Sequence, residues 1–203
     1  MLTAGEVHVW RVALDAGAGP EAALSSAELA HADRLRGHLA RERYLASHRA
    51  LRAILAAVTG GPLEFAASDH GKPYLPAAPR VRFNLSHSHG LALVAAALDV
   101  EVGVDVEHLR PMPDCAAIAA RFFPPSEAAA LQATPADARE SEFFRRWTRI
   151  EAALKAQGIG LHGAGVELPD DMTVENVEAG ESYAAAVAAA SRSARVVYRD
   201  GFW

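Results

Sequence analysis

The sequence predicts an α+β fold of two similar halves, residues 1–100 and 101–203, each with a small, mainly antiparallel sheet and a long helix. Three observations predict it. Several short stretches alternate apolar and polar residues with period two, as strands do. Two long stretches carry apolar residues at helical spacing. Finally, "LALVAAALDVEVGVDV" is echoed by "YAAAVAAASRSARVVYRD" late in the second half. Both read as an Ala-Val strand, a polar turn and a Val-rich strand.

The elements follow in order. "EVHVWRVAL" alternates and predicts a first strand. Residues 24–61 predict a short helix and then a long one, stopped by Gly60 and Gly61. "DHGKPYLP" is turn-rich. "VRFNLSHSHG" predicts a short strand running into a polar loop, which places Lys72, Ser86 and His87 on tight loops around it. "LALVAAALDVEVGVDVE" predicts two strands joined near Asp99, and "PMPD" breaks the chain. Residues 114–158 read as helical, interrupted at Pro124–Pro125 and near Pro135. The last forty or so residues read as strands.

Composition narrows the function. Half the residues are hydrophobic (51%), enough for a full core. A net charge of −5 argues against a general nucleic-acid binder. The apolar runs fall far short of the ~18 residues of a membrane span, and no positive-then-apolar leader opens the chain. Cys115 is the single cysteine, so no intrachain disulfide framework or Cys-rich zinc site can form. These features predict a soluble cytoplasmic protein.

Two stretches carry the chemistry. In "VGVDVEHLRP", Asp105 and Glu107 fall on one face of a strand, roughly 6.5–7 Å apart. Such a pair needs water or a positive partner. In "FFRRWTRIEAALKAQGIG", Glu151 falls in an apolar stripe between Trp147 and Leu154, with Lys155 one turn on. A solvated Glu151–Lys155 ion pair is one reading. The other is a desolvated carboxylate that needs a partner or a metal. Together Asp105, Glu107 and Glu151 offer only hard oxygen ligands, which suit Mg²⁺ or Mn²⁺ and phosphoryl-group chemistry. Ser86 and His87 read as phosphate contacts. A nucleophile pair is disfavoured by their adjacency and by the lack of a G-x-S-x-G elbow. Residues 31–52 hold six arginines (Arg34, Arg36, Arg41, Arg43, Arg49 and Arg52) against Asp33 and Glu42. That excess favours an anionic ligand.

With "GKPYLP", "FNLSHS", "GVDVE…RP", "RFFPPSE" and "FFRRWTRIEAALKAQGIGL" in this order, the chain resembles the surfactin-type 4′-phosphopantetheinyl transferases from about residue 30 to 165. The resemblance implies pseudo-twofold-related halves with the active site between them. It implies transfer of phosphopantetheine from coenzyme A to a serine of an acyl or peptidyl carrier protein, with Mg²⁺ (or Mn²⁺), by a monomer. On this pattern Asp105, Glu107 and Glu151 match the metal-binding acids. Glu151 also matches the base for the carrier serine. Lys155 matches the pyrophosphate lysine. Lys72, Ser86 and His87 match coenzyme A contacts, and Arg43 an arginine near the 3′-phosphate. Ile150 departs from the pattern, which has a lysine there. The helical stripe argues for burial of Ile150, the family lysine for a position facing the cleft, and the second is the expectation. The rivals are a binding paralogue and another Mg²⁺-dependent enzyme of nucleotide pyrophosphates. For carrier docking, Met112, Phe122 and Phe123 are the apolar candidates, with Arg110 and Arg121 to steer an acidic partner.

Overall fold

The computed structural model describes residues 1–15, 23–61, 63–160, 165 and 167–199. Strand β1 (Glu6–Ala13) is followed by α1 (Ser26–Ala32) and α2 (His38–Thr59). Ser25 starts α1 with a capping box: its hydroxyl accepts the Glu28 N–H, and Glu28 accepts the Ser25 N–H. Gly60 ends α2 in the left-handed region (φ 74°), where its N–H closes on Ala56.

The short strands β2 (Ala66–Ala67) and β3 (Pro73–Tyr74) form a two-stranded ladder. Then come β4 (Val81–Ser88), β5 (Leu91–Leu98) and β6 (Val102–His108). Helices α3 (Cys115–Phe122), α4 (Pro125–Gln132) and α5 (Arg139–Gln157) follow, broken at the prolines as expected. Strands β7 (Thr173–Asn176), β8 (Tyr183–Ala189) and β9 (Arg195–Arg199) complete the described chain. The fold is mixed α+β. Among the described residues no helix is long and apolar enough to cross a membrane.

One sheet has the order β4-β5-β1-β9 and another β6-β8-β7. All their pairings are antiparallel except β1 with β9. The last strand therefore crosses back and pairs with the first.

Side-chain alternation sorts the core into layers. Leu93, Ala95 and Ala97 of β5, with Val7 and Val9 of β1, pack against Val102, Val104 and Val106 of β6 and against β8. The two sheets thus share one apolar interior. On the other face of β5, Ala92, Val94 and Ala96 meet Ala50, Leu51, Ile54 and Leu55 of α2. On the other face of β8, Ala186 and Ala188 meet Ala152, Ala153 and Ala156 of α5. The layers run helix, sheet, sheet, helix. This explains why "LALVAAAL" is apolar throughout: both of its faces are buried.

Two expectations are corrected. Ser86 and His87 lie inside β4, not on a loop beyond it. Polar residues ending a strand look like a loop in sequence, but here Ser86 serves a seam between sheets while His87 points from the other face of the strand. Ile150 is 4% exposed, packed with Phe143, Phe144 and Leu154, so it does not face a cleft. The helical stripe decides its position.

Candidate functional site

Strand β6 is an edge strand of its sheet, and so is β4 of the other. The two edges meet without backbone pairing. Instead, β4 side chains accept β6 backbone N–H groups: Val104 to Asn84 Oδ1 (2.9 Å), Val106 to Ser86 Oγ (3.4 Å) and His108 to Ser88 Oγ (3.0 Å). Both strands have period two, so every second residue of one meets every second residue of the other.

The opposite set of β6 residues, Gly103, Asp105 and Glu107, bears the acids. Gly103 has no side chain for a reason. A Cβ there would lie 2.0 Å from the Ala152 carbonyl oxygen and 2.5 Å from the Ala156 nitrogen. The strand therefore lies directly against α5. That approach brings Lys155 to Asp105. Lys155 Nζ donates to Asp105 Oδ1 at 2.6 Å and to Ser86 Oγ at 3.2 Å, and Ser86 Oγ donates to the same carboxylate oxygen at 2.9 Å. Asp105 is 5% exposed, and its Oδ2 is buried with no partner. Lys155 thus pairs across to the strand and not with Glu151 on its own helix.

Glu107 accepts from Arg110 Nη1 at 3.0 Å and more weakly from Ser88 Oγ at 3.5 Å. Burial first, and then the charge of Asp105, push the Glu151 carboxyl above its usual value, with Lys155 pulling it down and Glu107 raising it further. The three acids thus stand close enough to feel one another. Among the described residues they do not close into a three-ligand cluster. The orphaned Asp105 oxygen, the desolvated Glu151 and an all-carboxylate donor set nevertheless fit a hard divalent cation. In this arrangement the Lys155 ammonium supplies the positive charge beside Asp105.

Of the other sequence candidates, His87 lines a cavity of about 350 Å³ with His48, Leu51, Pro73, Asn84 and Ser86. His87 is exposed at the cavity mouth, and desolvation by the cavity wall first, then His48 and Lys155, hold its imidazole below its usual value. His48 is likewise lowered by burial, against its bond to the Tyr44 carbonyl. A second cavity of about 700 Å³ continues from it past His48, Leu51 and Pro73 to Arg52 and Phe65.

Lys72 stands at the other end of β6. Its ammonium donates to Glu101 Oε2 (2.6 Å), the Val102 carbonyl (3.1 Å) and the Ala156 carbonyl (2.9 Å). Arg43 is held by both oxygens of Asp15, at 2.9 and 2.6 Å. The structure thus gathers Ser86, Asp105, Glu107, Glu151, Lys155 and His87, while Lys72 and Arg43 are bonded elsewhere.

The arginine excess is smaller than the sequence window suggested. Arg41 pairs with Asp33 and Glu42, Arg43 with Asp15, and Arg52 with Glu28. Asp15 and Glu28 lie outside residues 31–52, so counting within the window missed them. Sequence reasoning also missed His48, Asn84 and Ser88. The period-two run Asn84, Ser86, Ser88 was the available signal. For His48 the helix pattern offered none.

Comparison with known proteins agrees with this geometry. The family model described as "4'-phosphopantetheinyl transferase superfamily" matches residues 101–198, which include β6 and α5. The 4'-phosphopantetheinyl transferase HetI of Nostoc sp. is 41% identical over 173 residues, covering 79% of this chain and 72% of its own. A putative 4'-phosphopantetheinyl transferase of Synechocystis sp. is 34% identical, covering 75% of this chain and 65% of its own. Bacillus subtilis 4'-phosphopantetheinyl transferase Sfp is 31% identical, covering 63% of each. The chain belongs to the 4′-phosphopantetheinyl transferase superfamily and is a transferase of that kind.

Proposed function

We propose that the seam between β4 and β6 moves 4′-phosphopantetheine from coenzyme A to a serine hydroxyl of an acyl or peptidyl carrier protein, releasing 3′,5′-ADP. The observation that carries this is the buried Asp105, one oxygen held by Lys155 and Ser86 and the other without a partner. In the transfer, the serine oxygen bonds to the phosphorus next to pantetheine, and the bond from that phosphorus to the bridging pyrophosphate oxygen breaks. Lys155, Ser86 and His87 bind the pyrophosphate, and Lys155 offsets charge on the leaving 3′,5′-ADP. Glu151, the half-buried carboxylate on α5 one turn before Lys155, takes the serine proton. Asp105, Glu107 and Glu151 would hold Mg²⁺, or Mn²⁺. When bound, the ion neutralises the phosphate oxygens that otherwise repel the nucleophile. Arg43 and Lys72 are assigned to coenzyme A contacts, which requires each to exchange a protein partner for a phosphate.

We read residues 1–100 and 101–203 as pseudo-twofold halves with this site between them. In support, β4-β5-β1 and β7-β8-β6 share one strand order, and each first strand precedes a long helix. The working form is a cytoplasmic monomer that does not bind nucleic acid or membrane. Carrier docking falls to the half-buried Met112 and Phe122, with Arg110 and Arg121 nearby. Phe123 is 3% exposed and stacks on Phe143 within the core, so it is removed from that surface.

Intact-mass analysis of carrier proteins incubated with the enzyme, coenzyme A and Mg²⁺ tests the reading. The carrier should gain one phosphopantetheine. Free phosphopantetheine without carrier modification would indicate a hydrolase, and neither product would indicate a binding protein. Asp105→Ala should lower transfer by about 10²–10³-fold while the protein stays folded. Near-normal activity of that variant at limiting Mg²⁺ would overturn the site.

A further inference from the structure

The outer rungs of the β4–β6 ladder have no part in the chemistry above, yet they flank it. Asn84 is 8% exposed, and its Oδ1 takes the N–H of Val104, the residue before Asp105. A backbone N–H can only donate, so the amide is oriented with oxygen toward β6. Ser88 takes the N–H of His108, the residue after Glu107, and its hydroxyl also reaches Glu107 Oε2 at 3.5 Å. The middle rung, Ser86, is already in the site.

Pairing with β8, from Val102 opposite Ala189 to His108 opposite Tyr183, sets the register of β6 within its own sheet and leaves the N–H groups of its outer edge to find other acceptors. Here the three acceptors index β6 against β4. Without them the outer edge of β6 would be free to tilt away from β4, and with it the backbone that carries Asp105 and Glu107. A pairing through ordinary backbone bonds would have made one continuous sheet. The side-chain rungs instead hold the two edges together across a seam.

We propose that Asn84 and Ser88 are positioning residues that fix Asp105 and Glu107 for the divalent cation, by holding the backbone on either side of the two acids. The proposal rests on the metal reading given above. Neither residue touches the reacting atoms in this scheme. Their effect is on where β6 sets its carboxylates relative to Lys155, Glu151 and Ser86.

The test uses the full chain and Mn²⁺ binding followed by electron paramagnetic resonance. Hydrogen exchange of the Val104 and His108 amides and steady-state kinetics are measured on the same samples. Asn84→Leu and Ser88→Ala remove the acceptors. Each should weaken Mn²⁺ binding and raise the Mg²⁺ concentration for half-maximal activity by roughly tenfold, about the effect of one lost buried hydrogen bond. The KM for carrier protein should not change. Ser88→Thr keeps an acceptor oxygen without adding charge and should restore Mn²⁺ binding. A purely structural role would shift melting temperature without this pattern of loss and rescue. Unchanged Mn²⁺ affinity in Asn84→Leu, with a normal melting temperature, overturns the proposal. If Asn84→Leu does not fold, Ser88→Ala and Ser88→Thr decide it. If the wild type binds no Mn²⁺, the metal reading fails. The amide measurement then judges the ladder alone: faster exchange at Val104 in Asn84→Leu supports it, and equal exchange refutes it.

Discussion

The two long helices cover their sheets in different ways. Helix α2 meets its sheet through Leu51, Ile54 and Leu55, large residues that hold the helix well off the strands. Helix α5 meets its sheet through Ala152, Ala153 and Ala156 against Ala186, Ala188 and the bare backbone of Gly103. The consequence is visible at each face. Beside α2 there is room for cavities of about 700 and 350 Å³, both lined by His48 and Leu51. Beside α5 the short side chains let Lys155 reach Asp105 at 2.6 Å. Wide spacing makes space for a ligand, and close spacing places charges.

The strongest way to break this contrast is Gly103→Ala. The added carbon has no space between Ala152 and Ala156, so the helix must lift or the strand must move. Destabilisation of about 3 kcal/mol or more is expected in urea unfolding, with transfer activity lost as well. Ile150→Lys is next. It places an unpaired charge among Phe143, Phe144 and Leu154. The melting temperature should fall, by the equivalent of about 2 kcal/mol, with no gain in kcat. A faster enzyme of unchanged stability would return Ile150 to the cleft.

On the α2 face, Ile54→Val removes one carbon, where Gly103→Ala adds one. It should cost about 1 kcal/mol and leave the transfer rate unchanged, because large aliphatic layers relax around small losses. The smallest effect concerns Glu151. Its carboxyl titrates above its usual value of 4.5, chiefly through burial. The folded state therefore holds this proton more tightly than the unfolded chain does. The stability it contributes is complete below the ordinary carboxylate value and is lost as pH rises through the raised one. Glu151→Gln should thus stabilise the metal-free protein at neutral pH and make no difference in acid. Melting temperature against pH for the two proteins checks the sign, and added Mg²⁺ should narrow the gap.

Much of this was legible in the sequence. Strict alternation around Asp105 and Glu107 placed both acids on one strand face, and the α5 stripe placed Glu151 by angle alone; the same stripe argued for burial of Ile150, but the expectation followed the family lysine and failed. Local spacing carries that information. What remained hidden depends on residues far apart in the chain. Lys72 finds acceptors in β6 and α5, and Arg43 finds Asp15 at the end of β1. No periodicity encodes such meetings. Ser86 and His87 were misplaced because polarity at a strand end usually signals solvent. For Ser86 it signals a second strand edge, whose N–H groups need acceptors, and for His87 the wall of a cavity.

Strand β9 adds a requirement of order in time. It lies parallel to β1, with Val7 opposite Val196 and Val9 opposite Tyr198, and Arg199 bonds the buried His8. During synthesis β1 emerges before β9, so β1 waits for every element between them before its outer edge is covered. Contacts this distant in sequence are closed late and slowly. A ribosome-bound chain ending near residue 100 would expose that edge of β1, leaving it available to other strands. Overproduction that outpaces completion should therefore yield aggregated nascent chains more readily than aggregated finished enzyme.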